Sequence, residues 1–279
     1  MNVNAASPRS RNGASPFSWH RVWAVIEKEW AESRRNKMIL WTMALVPLFL
    51  VAMVLGTDYF MIRAEAKGQD MDEDEMPIPE QLQHLPRFEA FIIQMNEQYM
   101  FYMFIIPMML PVYIAAYSII GEKQTKTLEP LLATPISTWE LLAAKTIAAT
   151  SPAVVLTWIS YAVMLVGLRF VVSPTVFFYS ARAVWILAML LLSPLLAFLS
   201  VLSGVIVSSR INDPRTAQQI TGVFIVPIIS VSLVVLAGKV FVSVQMVIYA
   251  AMVVLIVDLV ALYFAVKVFQ RETILTRWK

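Results

Sequence analysis

The sequence contains no cysteine, which excludes disulfides, thiolate metal sites and a cysteine nucleophile. Its only histidines are His20 and His84, and the span assignment given below puts them in different compartments. No Ser/His/Asp set or acid/base pair converges along the chain, and no metal site is expected. Charge is sparse as well: 15% of residues are charged, against about a quarter in soluble domains. Net charge is +3 with no basic stripe interleaved with aromatics, so no nucleic-acid partner is expected. A phosphate-binding G-x-x-x-x-G-K-[ST] run is also missing; residues 121–127, GEKQTKT, have the Lys-Thr pair without the glycine before it. Energy for any pumping must therefore come from a partner or an ion gradient. The N-terminus does not read as a cleavable signal, because residues 1–37 are mostly polar or amphipathic before the first long apolar run.

What the chain has in excess is apolar residues, 59% of the total. They fall into runs long enough for a bilayer core, which needs about 20 apolar residues in a helix. Six spans are expected, at residues 38–56, 99–120, 146–168, 183–207, 218–238 and 246–266. Each must be helical, since lipid leaves no partner for an open backbone. The fold class is thus an all-α polytopic membrane protein with one transmembrane domain over residues 38–266. With the N-terminus inside, 16 Lys and Arg residues fall on the cytoplasmic side and 6 on the other. That asymmetry places both termini in the cytoplasm of a multi-pass protein of the cell (inner) membrane. Pro47, Pro107, Pro111, Pro152, Pro194 and Pro227 lie within spans, where each removes a backbone donor and can bend its helix.

Outside the bilayer, residues 1–17 have little to bury and read as a disordered tail. Residues 18–36 read as an amphipathic helix capped by Ser18, with Trp19, Val22, Trp23, Ile26 and Trp30 on one face. Two homes suit it: the cytoplasmic interface, with its tryptophans at headgroup depth, or a protein surface. The interface is the expectation. Residues 57–98 form an acidic external loop that can carry short helices near residues 78–97. Asp70, Asp72 and Asp74 begin like a calcium loop, but Glu75 and Gln81 stand where glycine and glutamate are needed. Residues 267–279 form a cytoplasmic tail.

Residues 121–140, GEKQTKTLEPLLATPISTWE, carry the most information. Thr127 can cap a short helix that tolerates Pro130 in its first turn, and Pro135 ends it. Ser137 and Glu140 then make an S-x-x-E capping box for the third span. Leu128, Leu131 and Leu132 form an apolar knob that needs a partner surface or the membrane interface to cover it.

These residues closely resemble the segment after the second span of type-2 ABC transporter permeases. The match lies at Glu122, Thr127, Leu128, Glu129, Leu131, Leu132, Thr134 and Pro135. Residues 269–277, FQRETILTR, also look like that family. The resemblance implies the permease subunit of an ATP-driven exporter. A separate ATPase subunit would bind ATP and Mg and hydrolyse the nucleotide, so this chain is not itself an enzyme and binds no cofactor. Residues 127–134 would be the coupling helix docked on that ATPase, and residues 18–36 the connecting helix beside it. A second permease chain, identical or not, would complete the pathway in the lipid membrane.

Within the spans, Asp258 stands as the only deep carboxylate, a candidate contact for substrate, proton or cation. It also defines the rival reading, a gradient-driven secondary transporter, although no inverted repeat supports one. An intramembrane enzyme or assembly factor is a third reading, disfavoured by the lack of a polar catalytic cluster. The methionines around the second span read as pliable packing. Ser200, Gly204 and Ser208 place small residues at every fourth position of the fourth span, a sign of close helix contact.

Overall fold

The computed structural model describes residues 17–68, 77–125, 136–211, 213–238 and 240–268. Among these residues the regular elements are all helical: α1 (Trp19–Arg35), α2 (Lys37–Glu65), α3 (Arg87–Met103), α4 (Ile105–Gln124), α5 (Thr138–Val171), α6 (Pro174–Ser180), α7 (Ala183–Arg210), α8 (Pro214–Thr221), α9 (Ile225–Leu236) and α10 (Val244–Val268). Six stretches are long and apolar enough to cross a membrane, as the sequence required. The segments 1–16 and 269–279 lie outside the described residues, as do the acidic run 70–75 and the proposed coupling helix 127–134.

The core is built on α4 and α7. Small residues let the two backbones approach closely. A Cβ on Gly204 would stand 3.0 Å from Val112 Cγ2, and Ser200 donates its hydroxyl to the Met108 carbonyl. The small-residue stripe therefore marks a contact within this chain. The α5 helix packs against α2, α4 and α7, and α10 lies along α7. In the single chain, α2, α9 and α10 turn broad apolar faces outward, with Phe49, Phe60, Val226, Ile256 and Leu259 among the exposed residues.

Two spans are broken where proline removes a donor. A helical Pro107 cannot bond the Met103 carbonyl, and the second span divides there into α3 and α4, with Phe104 between them. Pro227 likewise leaves the Val223 carbonyl without its helical donor. The fifth span passes through a 3-10 turn at Gly222–Phe224 between α8 and α9. The expected single helices over 99–120 and 218–238 are thus helix pairs.

The expected loop 57–98 is largely helical. The second helix, α2, continues to Glu65, and α3 begins at Arg87. Its polar residues Gln94, Asn96, Glu97 and Gln98 are buried among neighbouring helices. Polarity alone had placed them in water. At the same end of the bundle Glu97 accepts from Arg182 and from the Trp185 indole (2.8 Å). Arg182 also stacks 4.0 Å over the Phe241 ring. This ties the start of α7 to α3 and to the connection into α10.

Gly238 ends α9 at φ +67°, and a Cβ there would stand 2.2 Å from the Pro77 carbonyl oxygen. Gly238→Val therefore combines a left-handed backbone, costing about 1–3 kcal/mol in a non-glycine residue, with a clash against rigid backbone. A clear fall in the Tm of the purified chain in detergent is expected, with Gly222→Ala, which meets open space, as the near-neutral comparison.

Candidate functional site

The densest set of charges lies at the α1 end of the bundle. The α5 N-terminus is built by the predicted capping box: Glu140 N–H donates to Ser137 Oγ (3.2 Å), and Ser137 N–H donates to Glu140 Oε2 (2.7 Å). The other carboxylate oxygen, Oε1, accepts from the Ser18 backbone N–H (2.7 Å) and from the Arg21 guanidinium (2.6 Å). One side chain therefore caps α5 and fastens the first turn of α1. Ser18 occupies the N-cap position of α1, but its side chain makes no cap bond there.

One turn further along, Lys145 is buried between three helices. It donates to Glu29 of α1 at 2.7 Å, pairs with Glu122 of α4 at 2.9 Å, and also donates to Ser118. Lys28 completes the set at 2.7 Å from Glu122 Oε1. The buried Lys145 thus faces two buried carboxylates, where unpaired charges are not tolerated, while the half-exposed Lys28 adds a second cation at the rim and also pairs with Glu32 at 3.4 Å. Burial acts to lower the Lys28 pKa, but the hydrogen bond and charge of Glu122 outweigh it and leave the ammonium raised. Burial acts to raise Glu29, yet the charge and hydrogen bond of Lys145 prevail and hold it below its usual range.

Hydrophobic packing seats the same helix. Val22, Val25, Ile26 and Glu29 form the buried face of α1, while Trp19 and Trp23 remain exposed at 66% and 51%. The tryptophans and the Val22/Ile26 pair had been assigned to one face. An apolar stripe on a helix is wide enough to serve two surfaces, and here the protein takes the Val22–Ile26 side. Trp30 has a separate task. Pro152 cannot donate to the Ala148 carbonyl in α5, and the Trp30 indole N–H fills that vacancy at 3.0 Å.

Of the residues matched to the coupling motif, Glu122 is described and belongs to this ion cluster. Thr127, Leu128, Glu129, Leu131, Leu132, Thr134 and Pro135 lie outside the described residues. Glu122 before the segment and Glu140 after it are both held by α1. Asp258 is far along α10, buried against α7, with neither carboxylate oxygen hydrogen-bonded. It is not the only deep carboxylate: Asp58 and Glu97 are equally buried on helices of the first two spans. Sequence reasoning missed them because it ended the first span at residue 56 and began the second at residue 99. It also missed Glu29 and Lys145 as a pair, since 116 residues separate them. A Lys just inside an apolar helix was the available signal.

Six helices long and apolar enough to cross a bilayer, with a charged helix anchored at one end, define a multi-pass membrane protein. The chain belongs to the ABC-2 family transporter proteins, whose family model matches residues 23–248. No curated protein matches the chain.

Removing Lys145 leaves Glu29 and Glu122 buried with reduced compensation. Lys145→Met is expected to cost about 3–5 kcal/mol, as for other broken buried pairs, and Lys145→Met/Glu29→Gln should recover part of that loss in thermal unfolding. The pH dependence has a definite sign. Because Glu29 is lowered by folding, its contribution is complete above the ordinary value of 4.5 and is lost as pH falls through its depressed value. Protease cleavage within α1 should therefore be flat from neutral pH down to that point and rise below it, and Glu29→Gln should remove this step.

Proposed function

We propose that this chain is the membrane-spanning subunit of an ATP-driven exporter, coupled through residues 127–134 to a separate ATPase subunit that holds ATP and Mg. The observation that carries this reading is the double anchorage of α1. Glu122 and Glu140 flank residues 126–135, and both are bound by α1 side chains. A short helix between those anchors would be presented at a fixed place, and force applied to it would pass into α4 and α5. That is what a part that transmits nucleotide-driven motion requires. Leu128, Leu131 and Leu132 supply the apolar knob for the docking surface.

On this reading the α1 end is cytoplasmic, in agreement with the excess of Lys and Arg at that end. Both termini share that side of the cell membrane. The exposed apolar faces of α2, α9 and α10 are divided between lipid and a second permease chain, and substrate moves between the two chains. Trp19 and Trp23, left free of the protein core, sit at the headgroup level while the rest of α1 is held by α5. Export, rather than uptake, follows the family resemblance. The paired state of the cytoplasmic charges gives no support to a gradient-driven mechanism.

The experiment is purification of the tagged chain from its native membrane in mild detergent, with ATPase activity assayed in the eluate. A P-loop ATPase in stoichiometric amount is expected. Leu131→Asp/Leu132→Asp should release it without changing the thermal unfolding of the permease. A folded chain that transports on an imposed ion gradient and carries no ATPase would overturn the proposal.

A further inference from the structure

At the bundle end opposite α1, a second polar pair lies apart from the charge cluster. Asp58, near the end of α2, is fully buried, and Asn96 of α3 is 1% exposed. Asn96 Nδ2 donates to Asp58 Oδ2 at 3.1 Å. The other oxygen of each group, Asp58 Oδ1 and Asn96 Oδ1, is buried without a hydrogen-bond partner. Asp58 makes no ion pair among the described residues. The titratable groups on surrounding elements are otherwise engaged. Glu97 is bound to Arg182, Arg63 lies over Tyr59 and Arg169 over Phe177. Tyr99 of α3 is also buried, and the neighbouring Thr57 hydroxyl donates to the Met53 carbonyl.

An ionised carboxylate in this setting would be a buried charge with one neutral donor, a costly state that proteins avoid by neutralising the group. Both orphan atoms are oxygens, so what is missing is a donor. One proton on Asp58 supplies it. The carboxyl O–H then donates to the Asn96 carbonyl oxygen while the Asn96 amide continues to donate back. A single hydrogen bond with two orphans becomes a closed acid–amide pair. A hard metal ion fits poorly, because such ions take about six or more oxygens and the pair offers two.

We propose that Asp58 and Asn96 form a proton-binding site, occupied in the packed conformation seen here and exchanging with water at the end of the bundle remote from α1. Position supports the side of exchange. Asp58 lies about 30 Å along α2 from Lys37 at 1.5 Å per residue, close to the full thickness of a bilayer core. Separation of α2 from α3 at this end would wet the carboxyl and release its proton to the water there. Packing the helices together would take a proton up, with no other bond made or broken. Movement of the outer ends of the first two spans is thereby linked to the pH of that compartment.

The test uses the full chain in lipid nanodiscs with 13C-carboxyl aspartate, in an Asp258→Asn background that removes the other buried, unbonded aspartate. The remaining aspartates are Asp70, Asp72 and Asp74 of the acidic run and Asp213, which caps an exposed helix start. A labelled carboxylic-acid carbonyl band at neutral pH is expected in the infrared spectrum and should disappear with Asp58→Asn. Opposite behaviour, with only carboxylate bands present and Asp58→Asn removing one of them, would overturn the site. So would an acid band that survives Asp58→Asn. Should Asp58→Asn fail to fold, the Asp258→Asn spectrum alone decides, since it leaves Asp58 unaltered. None of these readouts depends on an ATPase partner.

Discussion

The arrangement of this molecule depends on the ammonium group of Lys145. It sits on an apolar helix about two turns past the α5 N-terminus and is almost completely buried. Such a charge in a protein interior must be matched by anions, and they come from two other helices, Glu29 on α1 and Glu122 on α4. Meeting that demand fixes the rotation of α1, because Glu29 must point inward. The Val22, Val25 and Ile26 face follows it. The same requirement pins the end of α4, so the chain entering residues 126–135 starts from a set point. Glu140, bound to Arg21 and to the Ser18 backbone, fixes where it returns.

Proline sets the other constraint. In lipid a free backbone carbonyl has no water to turn to, so each proline within a span poses a local question that the fold has to answer. At Pro152 the answer is a side chain from another element, the Trp30 indole on the Ala148 carbonyl. This adds a directional contact to the α1–α5 interface already made by ion pairs. At Pro107 and Pro227 the helix breaks or tightens instead. Lack of such a donor does not by itself break a helix: α2, α4 and α7 run on through Pro47, Pro111 and Pro194.

The sequence made the six spans legible because membrane helices must be continuous in hydropathy. The capping boundary at Ser137 and Glu140 was legible because it is local, reading over three residues. Boundaries failed where polarity was taken for exposure. Gln94, Asn96, Glu97 and Gln98 look like a soluble loop in one dimension, yet each is buried by helices that arrive from elsewhere in the chain. The ion cluster failed for a related reason. Glu122 stood out through its motif, but nothing local says that Lys28, Glu29 and Lys145 converge with it. The division of α1 between tryptophans left exposed and aliphatic residues buried was beyond periodicity, which identifies a stripe without naming its partner.

The two ends of the bundle handle buried charge in opposite ways, and that contrast bears on how such a chain could move. At the α1 end two ammonium groups balance two carboxylates. Separating them exposes the three buried charges of Lys145, Glu29 and Glu122 at once, so the end resists opening and behaves as a unit. At the far end Asp58 has a single neutral partner, and its charge can be supplied or removed by one proton. Opening there costs the neutral pair but gains hydration of a carboxylate, a balance that water entry can tip. A bundle stiff where it is anchored and switchable where its first two spans end would turn a push at the stiff end into separation at the other. The lever for that is α2, which runs from beside α1 to Asp58 and a little beyond.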